Sequence, residues 1–266
     1  MGIIPFRDGA YATGSNRATL LGRLFPSLVY YTRMGPIVWR SSRKAKKGLY
    51  DRLAWEKGSH EIIEALESVG IDFHVTGVQN IAAVQGPCVF IGNHMSTLET
   101  LALPAMILPF KRTTFVVKKS LVEYPVFKHI MTSCNPVVVG RTNPRDDFKV
   151  VIEEGGKRLQ DGISVIVFPQ TTRTPAFDPT QFNTIGVKLA KRANVPVIPL
   201  ALKTDAWTNG KVIKDFGRID PARKVCFAFG EPMEIRDKGR EEQALLVSFI
   251  ERHLGEWQHE WGAPTA

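Results

Sequence analysis

From residue 70 onward the chain keeps switching its hydrophobic period, and that switching limits its possible folds more than any other feature. Short runs rich in β-branched and aromatic residues at 73–78, 88–91, 113–117, 136–139, 164–168, 197–202 and 225–229 read as strands. Helical spacing fills the intervals at 97–108, 146–160, 184–193 and 240–257. An amphipathic helix precedes them over 58–69, with Ile62, Ile63, Leu66 and Val69 on one side and Gly70 as its stop. Alternating β and α segments of this kind give an α/β fold with a largely buried central sheet.

At 266 residues the chain is long enough for one such domain with a helical extension. Its 44% hydrophobic and 23% charged residues exclude a disordered chain, because enough apolar surface exists to offset chain entropy. A formal charge of +9 calls for an anionic partner: nucleic acid, an anionic membrane or a phosphorylated substrate. Nucleic acid has only this charge in its favour, since no CxxC finger, RNP-like strand or basic recognition helix with heptads accompanies it. Cys88, Cys134 and Cys226 are odd in number and widely spaced, so neither a disulfide framework nor a zinc site is expected, and a reducing cytoplasm fits. His60, Glu61 and Glu64 lack the second histidine of a metalloprotease helix, and no metal is expected.

The first 70 residues form a separate helical segment in this reading, with the α/β domain occupying 71–266. Residues 20–39 are rich in Leu, Phe, Tyr, Val and Trp and run into Arg40, Arg43, Lys44, Lys46 and Lys47 without an intervening acid. Arg23, Arg33, Pro26 and Pro36 make this a poor spanning helix, and no apolar leader region follows the first residues. Two readings stand side by side: an interfacial element with apolar groups in the acyl boundary and cations at anionic headgroups, or a helix packed on the domain with a solvated basic face.

The segment Gly92-Asn93-His94-Met95-Ser96-Thr97-Leu98-Glu99 follows directly on an apolar strand. Strand ends in α/β sheets are where sites form. A carboxylate five residues after a histidine can hold its ring, fix its tautomer and stabilise the imidazolium. Five residues correspond to about 140° around a helix, so His94 has to stand in the turn before the helix for Glu99, on the first turn, to reach it. Glu99 also completes a capping box with Ser96, a role that would account for it without catalysis. A serine hydrolase is disfavoured, because there is no G-x-S-x-G elbow and Ser96 lies too close to His94 in sequence.

Asn93-His94 with Ser96 and Glu99 resembles the first motif of the glycerolipid acyltransferase family, membrane-peripheral enzymes of lysophosphatidic acid acylation. Val117-Lys118-Lys119-Ser120-Leu121 with Pro125 is similar to the family's lysine-containing segment, and Pro136-Val137-Val138-Val139-Gly140-Arg141 to the strand ending in its phosphate-binding arginine. Phe168-Pro169-Gln170-Thr171-Thr172-Arg173-Thr174 resembles its FPEGTRS segment and Val195-Pro196-Val197-Ile198-Pro199 its last motif, so the likeness covers about residues 73–230.

The resemblance implies a mixed, largely parallel sheet flanked by helices, with an N-terminal helical element at a membrane interface. It implies His94 as general base and Glu99 as its orienting carboxylate, with Lys118, Arg141, Gln170, Thr172 and Arg173 binding substrate. The implied reaction moves a fatty acyl group from acyl-CoA or acyl-carrier protein to the hydroxyl of a lysophospholipid, without cofactor, at an anionic membrane surface. The expected location is the cytoplasmic face of a membrane, peripheral or monotopic. A non-catalytic lipid-binding protein of the same fold is the alternative. Three departures bear on the acceptor: Glu99 replaces an aspartate, Gln170-Thr171 replaces Glu-Gly, and Phe182–Gly186 stands where the family has a shorter lysine-bearing stretch.

Overall fold

The computed structural model describes residues 3–15, 17–125, 127–170, 172–210 and 214–261. A two-residue strand β1 (Tyr11–Ala12) opens the chain, followed by helices α1 (Leu20–Leu24), α2 (Pro26–Lys46) and α3 (Arg52–Glu67). Then come β2 (Phe73–Thr76), α4 (Gln79–Ala83), β3 (Val89–Gly92), α5 (Leu98–Ile107), β4 (Thr113–Lys118), α6 (Lys119–Glu123) and α7 (Lys128–Ser133). The remainder is β5 (Val137–Val139), α8 (Pro144–Gln160), β6 (Ser164–Val167), α9 (Ile185–Ala193), β7 (Val197–Lys203), β8 (Val225–Phe229) and α10 (Arg240–Trp261).

The eight strands form one sheet in the order β1-β2-β8-β7-β3-β6-β4-β5. Only β1 with β2 and β7 with β8 run antiparallel; the other neighbours are parallel. The sheet is therefore mixed and largely parallel, as expected. Strands β3, β6, β7 and β8 are buried along their whole length, which is why they read as unbroken apolar runs rather than alternating ones. At Gly92, where β3 ends, an added Cβ would lie 2.7 Å from the Leu200 carbonyl oxygen, so only glycine lets β7 come this close.

All seven expected strands are present. The run 73–78 stops at Thr76 because Gly77 takes a positive φ of 78° and the chain turns into α4. Helix α3 begins at Arg52 rather than near 58, started by the Asp51 side chain accepting from the Ala54 amide at 2.8 Å. β1, α4, α6 and α7 were not expected; each is a turn or two of chain, too short for a period to register.

Helix α2 buries Tyr30, Met34 and Val38 in a core continuous with Phe73, Phe90 and Phe227 of the sheet. Buried Glu67, the last residue of α3, accepts hydrogen bonds from the Tyr11 hydroxyl, the Thr13 hydroxyl and Arg17. The first 70 residues and the sheet thus share one apolar interior, and polar contacts join them as well: the Thr13 hydroxyl accepts from the Phe73 amide at 2.8 Å and the Ser27 hydroxyl from the Ile219 amide at 3.0 Å. Leu20, Leu21 and Leu24 of α1, Phe25 at the junction, and Leu28 and Trp39 of α2 are exposed, with the Arg43 guanidinium 4.8 Å from the Trp39 ring. No helix among the described residues is long and apolar enough to cross a membrane.

Candidate active site

The C-terminal ends of β3, β4, β5, β6 and β7 lie along one edge of the sheet and deliver His94, Lys118, Arg141, Phe168 and Thr204 to it. This is the edge where open parallel sheets form their sites. Two side chains fix the turn carrying His94. Asn93 continues the β3–β7 ladder with its amide, donating to the Leu202 carbonyl at 2.7 Å and accepting from the Leu202 amide at 2.8 Å. Gln170 accepts from the His94 amide at 2.7 Å and donates to the Thr174 hydroxyl at 2.9 Å, while the Thr174 amide donates to the His94 carbonyl at 3.0 Å.

The His94 ring lies flat on Phe168, with centroids 4.6 Å apart and planes 1° from parallel. Its Nδ1 is 2.8 Å from Glu99 Oε1. The Glu99 side chain is fully buried, and every partner it has is a donor. Oε1 also accepts from the amides of Met95 at 2.7 Å and Ser96 at 3.0 Å; Oε2 accepts from the Thr204 hydroxyl at 2.7 Å and the Ser96 hydroxyl at 3.0 Å. Ser96 Oγ in turn accepts from the Leu98 amide at 3.1 Å, which starts α5. Capping and ring-holding are therefore one network and not competing explanations of Glu99.

Burial alone would push the Glu99 carboxyl up. The hydrogen bond and charge of His94, the Thr204 hydroxyl and the Ser96 amide outweigh it and bring the group below the usual carboxylate value. An ionised Glu99 requires Nδ1 to carry the proton it accepts, which leaves Nε2 of a neutral ring with its lone pair for a substrate proton.

His94 opens onto a cleft lined by Lys118, Arg141, Thr172, Arg173 and Lys214. Arg141 follows β5 in a left-handed conformation, φ 57°, held there by Asp147, whose carboxylate accepts from the amides of Gly140 at 2.9 Å and Arg141 at 3.0 Å. Arg173 donates through Nη1 to Asp215 Oδ1 at 2.8 Å and to the Thr97 hydroxyl. A second, apolar pocket runs between α2, α3, α5 and α7, lined by Val38, Trp55, Ile62, Leu101 and Ile130. Thr97, Thr100, Phe115, Val117, Leu121 and Asp215 line both spaces, so the two meet beside His94.

The expected residues thus fall into two groups. Lys118, Arg141, Thr172 and Arg173 share the cleft with His94. Gln170 does not line it; it is 4% exposed and both ends of its amide are engaged by the His94 turn. The glutamine that departs from the resembled motif therefore acts on backbone placement. Thr171 lies outside the described residues. Phe182 is buried under Phe177, and Asn183 starts α9 by accepting from the Ile185 amide at 2.9 Å, so this stretch also stays out of the cleft. Thr204, Phe168, Thr97 and Asp215 were not foreseen. Only Phe168 carried a signal, its place in the Phe-Pro segment.

A model of the family described as Acyltransferase matches residues 72–203, from β2 to β7. Over 132 residues the chain is 33% identical to a 1-acyl-sn-glycerol-3-phosphate acyltransferase of Pseudomonas aeruginosa, covering 50% of this chain and 49% of that protein. The corresponding protein of Haemophilus influenzae is 28% identical over 179 residues, covering 65% of this chain and 70% of the relative. The match to the Pseudomonas relative thus spans about half that protein's length. The crystal structure of the 1-acyl-sn-glycerophosphate acyltransferase PlsC from Thermotoga maritima aligns with a TM-score of 0.64 over 92% of this chain and 98% of that one, at 21% identity, a likeness of fold.

Proposed function

The chain belongs to the acyltransferase family, and on that premise we propose that it transfers a fatty acyl group from acyl-CoA or acyl-carrier protein to the hydroxyl of a lysophospholipid at a membrane surface. The observation that carries this reading is the position of the His94–Glu99 pair, Nδ1 to Oε1 2.8 Å, where a cationic cleft meets an apolar pocket. A lyso-lipid acceptor and an acyl thioester bring together an anionic headgroup, a hydroxyl, a carbonyl and a long alkyl chain. The two spaces match the first and last of these, and the histidine stands between them.

In this mechanism Nε2 of His94 removes the acceptor hydroxyl proton as the oxygen attacks the thioester carbonyl. Glu99 keeps the ring oriented and offsets the imidazolium charge. The tetrahedral intermediate collapses with loss of thiolate, and the imidazolium returns the proton to sulfur. The acyl group passes directly from sulfur to oxygen, and no acyl-enzyme forms. Lys118, Arg141 and Arg173 hold the acceptor phosphate, the guanidinium groups by paired hydrogen bonds and the lysine as a point charge, with Thr172 as a hydroxyl donor. Alkyl chain enters the pocket between α3 and α5.

The exposed Leu20, Leu21, Leu24, Phe25, Leu28 and Trp39, flanked by the basic end of α2, would sit in the headgroup layer of an anionic membrane and hold the protein peripherally on its cytoplasmic face. The test is acyl transfer by purified protein in liposomes, offering lysophosphatidic acid and other lyso-lipids with acyl-CoA or acyl-carrier protein, beside His94→Ala. Product that disappears in the variant is the expected result. No product from any pair, with liposome binding intact, would replace this reading by a non-catalytic lipid-binding protein.

A further inference from the structure

A carboxylate stands inside the cationic cleft. Asp215 lies on the connection between β7 and β8 and is the one acid lining the cleft among the described residues, facing Lys118, Arg141, Arg173 and Lys214. It is not sealed away as a buried structural pair: its side chain is 31% exposed and it lines both the cleft and the mouth of the apolar pocket. Its Oδ1 accepts from Arg173 Nη1 at 2.8 Å and from the Thr97 hydroxyl at 3.2 Å, and Arg173 also reaches Thr97 through Nη1.

Both contacts fall on one nitrogen of the guanidinium, which leaves the Nε–Nη2 edge for a phosphate held in the fork geometry that arginine favours. A phosphate seated there lies only the width of a guanidinium group from the Asp215 carboxylate. A phosphate monoester, with nearly two negative charges, is then repelled by the acid that shares its arginine. A phosphodiester has one charge, and a cationic group two carbons beyond the phosphorus comes level with the carboxylate. Discrimination by a group that attracts one ligand and repels its competitor is the general means by which related ligands are told apart.

We propose that Asp215 selects the acceptor headgroup by receiving its cationic group, so that the cleft takes a zwitterionic lysophospholipid, of the phosphoethanolamine type, in preference to a phosphate monoester. This rests on the acyl-transfer reading for the identity of the ligand, and the experiment separates the two. Binding of short-chain lysophosphatidylethanolamine and lysophosphatidic acid, below their micelle concentrations, is measured by calorimetry on wild type, Asp215→Asn and Asp215→Glu. Binding reports the headgroup whether or not transfer follows.

Wild type is expected to bind the zwitterion more tightly. Asp215→Asn should weaken the zwitterion at least tenfold and strengthen the monoester, and Asp215→Glu should restore most of the wild-type ratio. If Asp215 only buttresses Arg173, its loss weakens both ligands by the same factor, and that result overturns the proposal. So does a wild type that prefers the monoester with a ratio unchanged in Asp215→Asn. Headgroup selection as described without acyl transfer would refute the catalytic reading and leave this one standing.

Discussion

The His94 corner and the cationic cleft touch, yet they are built on opposite plans. At the corner the carboxylate of Glu99 is fully buried and collects donors from His94, Met95, Ser96 and Thr204, while Phe168 lies against the imidazole face. In the cleft, Lys118 and Arg141 are exposed residues at strand ends, and Arg173 is steadied by a single acid and a single hydroxyl. The proton transfer proposed for His94 depends on distance and angle, and the groups at this corner are tied from several sides. Attraction of a phosphate depends mainly on charge, and a long flexible cation in water meets that need. The difference predicts that substitutions at the corner act on kcat and resist salt, whereas those in the cleft act on KM and respond to it.

The largest effect is expected from His94→Ala. Loss of the proposed general base should lower kcat by roughly a thousandfold, within the range of about a hundred to ten thousand seen for such groups. KM and liposome binding should change little, whereas the thermal midpoint at neutral pH should fall, because buried Glu99 loses the hydrogen bond and charge of His94 that help hold it ionised. A variant that kept more than a tenth of wild-type kcat would break the comparison at its base.

Thr204→Val comes next. It removes one donor from Glu99 at nearly constant volume, and a hydrogen bond to a charged group contributes about 1.5–3 kcal/mol, so kcat should fall by about ten- to a hundredfold. Stability should follow with a definite sign. The Glu99 carboxyl lies below its ordinary value when folded, so its ionised form stabilises the fold above the unfolded-state value, and that contribution fades as pH falls through the folded one. Removing the Thr204 hydroxyl lifts Glu99 back toward the ordinary value. The variant should therefore melt below wild type at neutral pH, and the two should converge in acid. Equal melting at pH 7 would remove Thr204 from the network.

The same contrast explains what the sequence disclosed. His94 and Glu99 are five residues apart at the junction of a strand and a helix, and local geometry made their meeting foreseeable. The strands were legible because burial on both faces writes itself as unbroken Val, Ile and Leu. Thr204 was not, since it reaches Glu99 from 105 positions away and nothing in Lys203-Thr204-Asp205 marks it. Asp215 looks like an ordinary loop acid until the fold sets it on Arg173. Gln170 shows a different difficulty. Its position in the resembled motif was readable, but its orientation toward the His94 amide depends on the meeting of two strand ends.

Arg141→Ala tests the cleft. With Asp147 still anchoring the backbone of the turn through the amides of residues 140 and 141, the substitution removes the guanidinium without undoing the loop. KM for the acceptor should rise about tenfold, the loss of roughly 1.4 kcal/mol expected of one charge-assisted contact. kcat should stay within a factor of two. A fall in kcat as deep as that in Thr204→Val would mean that this cation acts on the reacting atoms and that the two regions are not separate in kind.

Lys118→Ala should have the smallest effect, and for that reason it sharpens the contrast most. Lys118 ends β4 with its side chain exposed, and an exposed charge several ångströms from its target is worth only about 0–1 kcal/mol. That corresponds to a rise in acceptor KM of at most about fivefold at low ionic strength. At about 0.5 M salt the screening length falls well below the 8 Å of physiological solution, and the variant and wild type should become indistinguishable. Thr204→Val measured in the same series should keep its full deficit, because the buried carboxylate it addresses is out of reach of mobile ions. If salt erased both deficits, or neither, the division between a dry corner set by geometry and a wet cleft set by charge would fail.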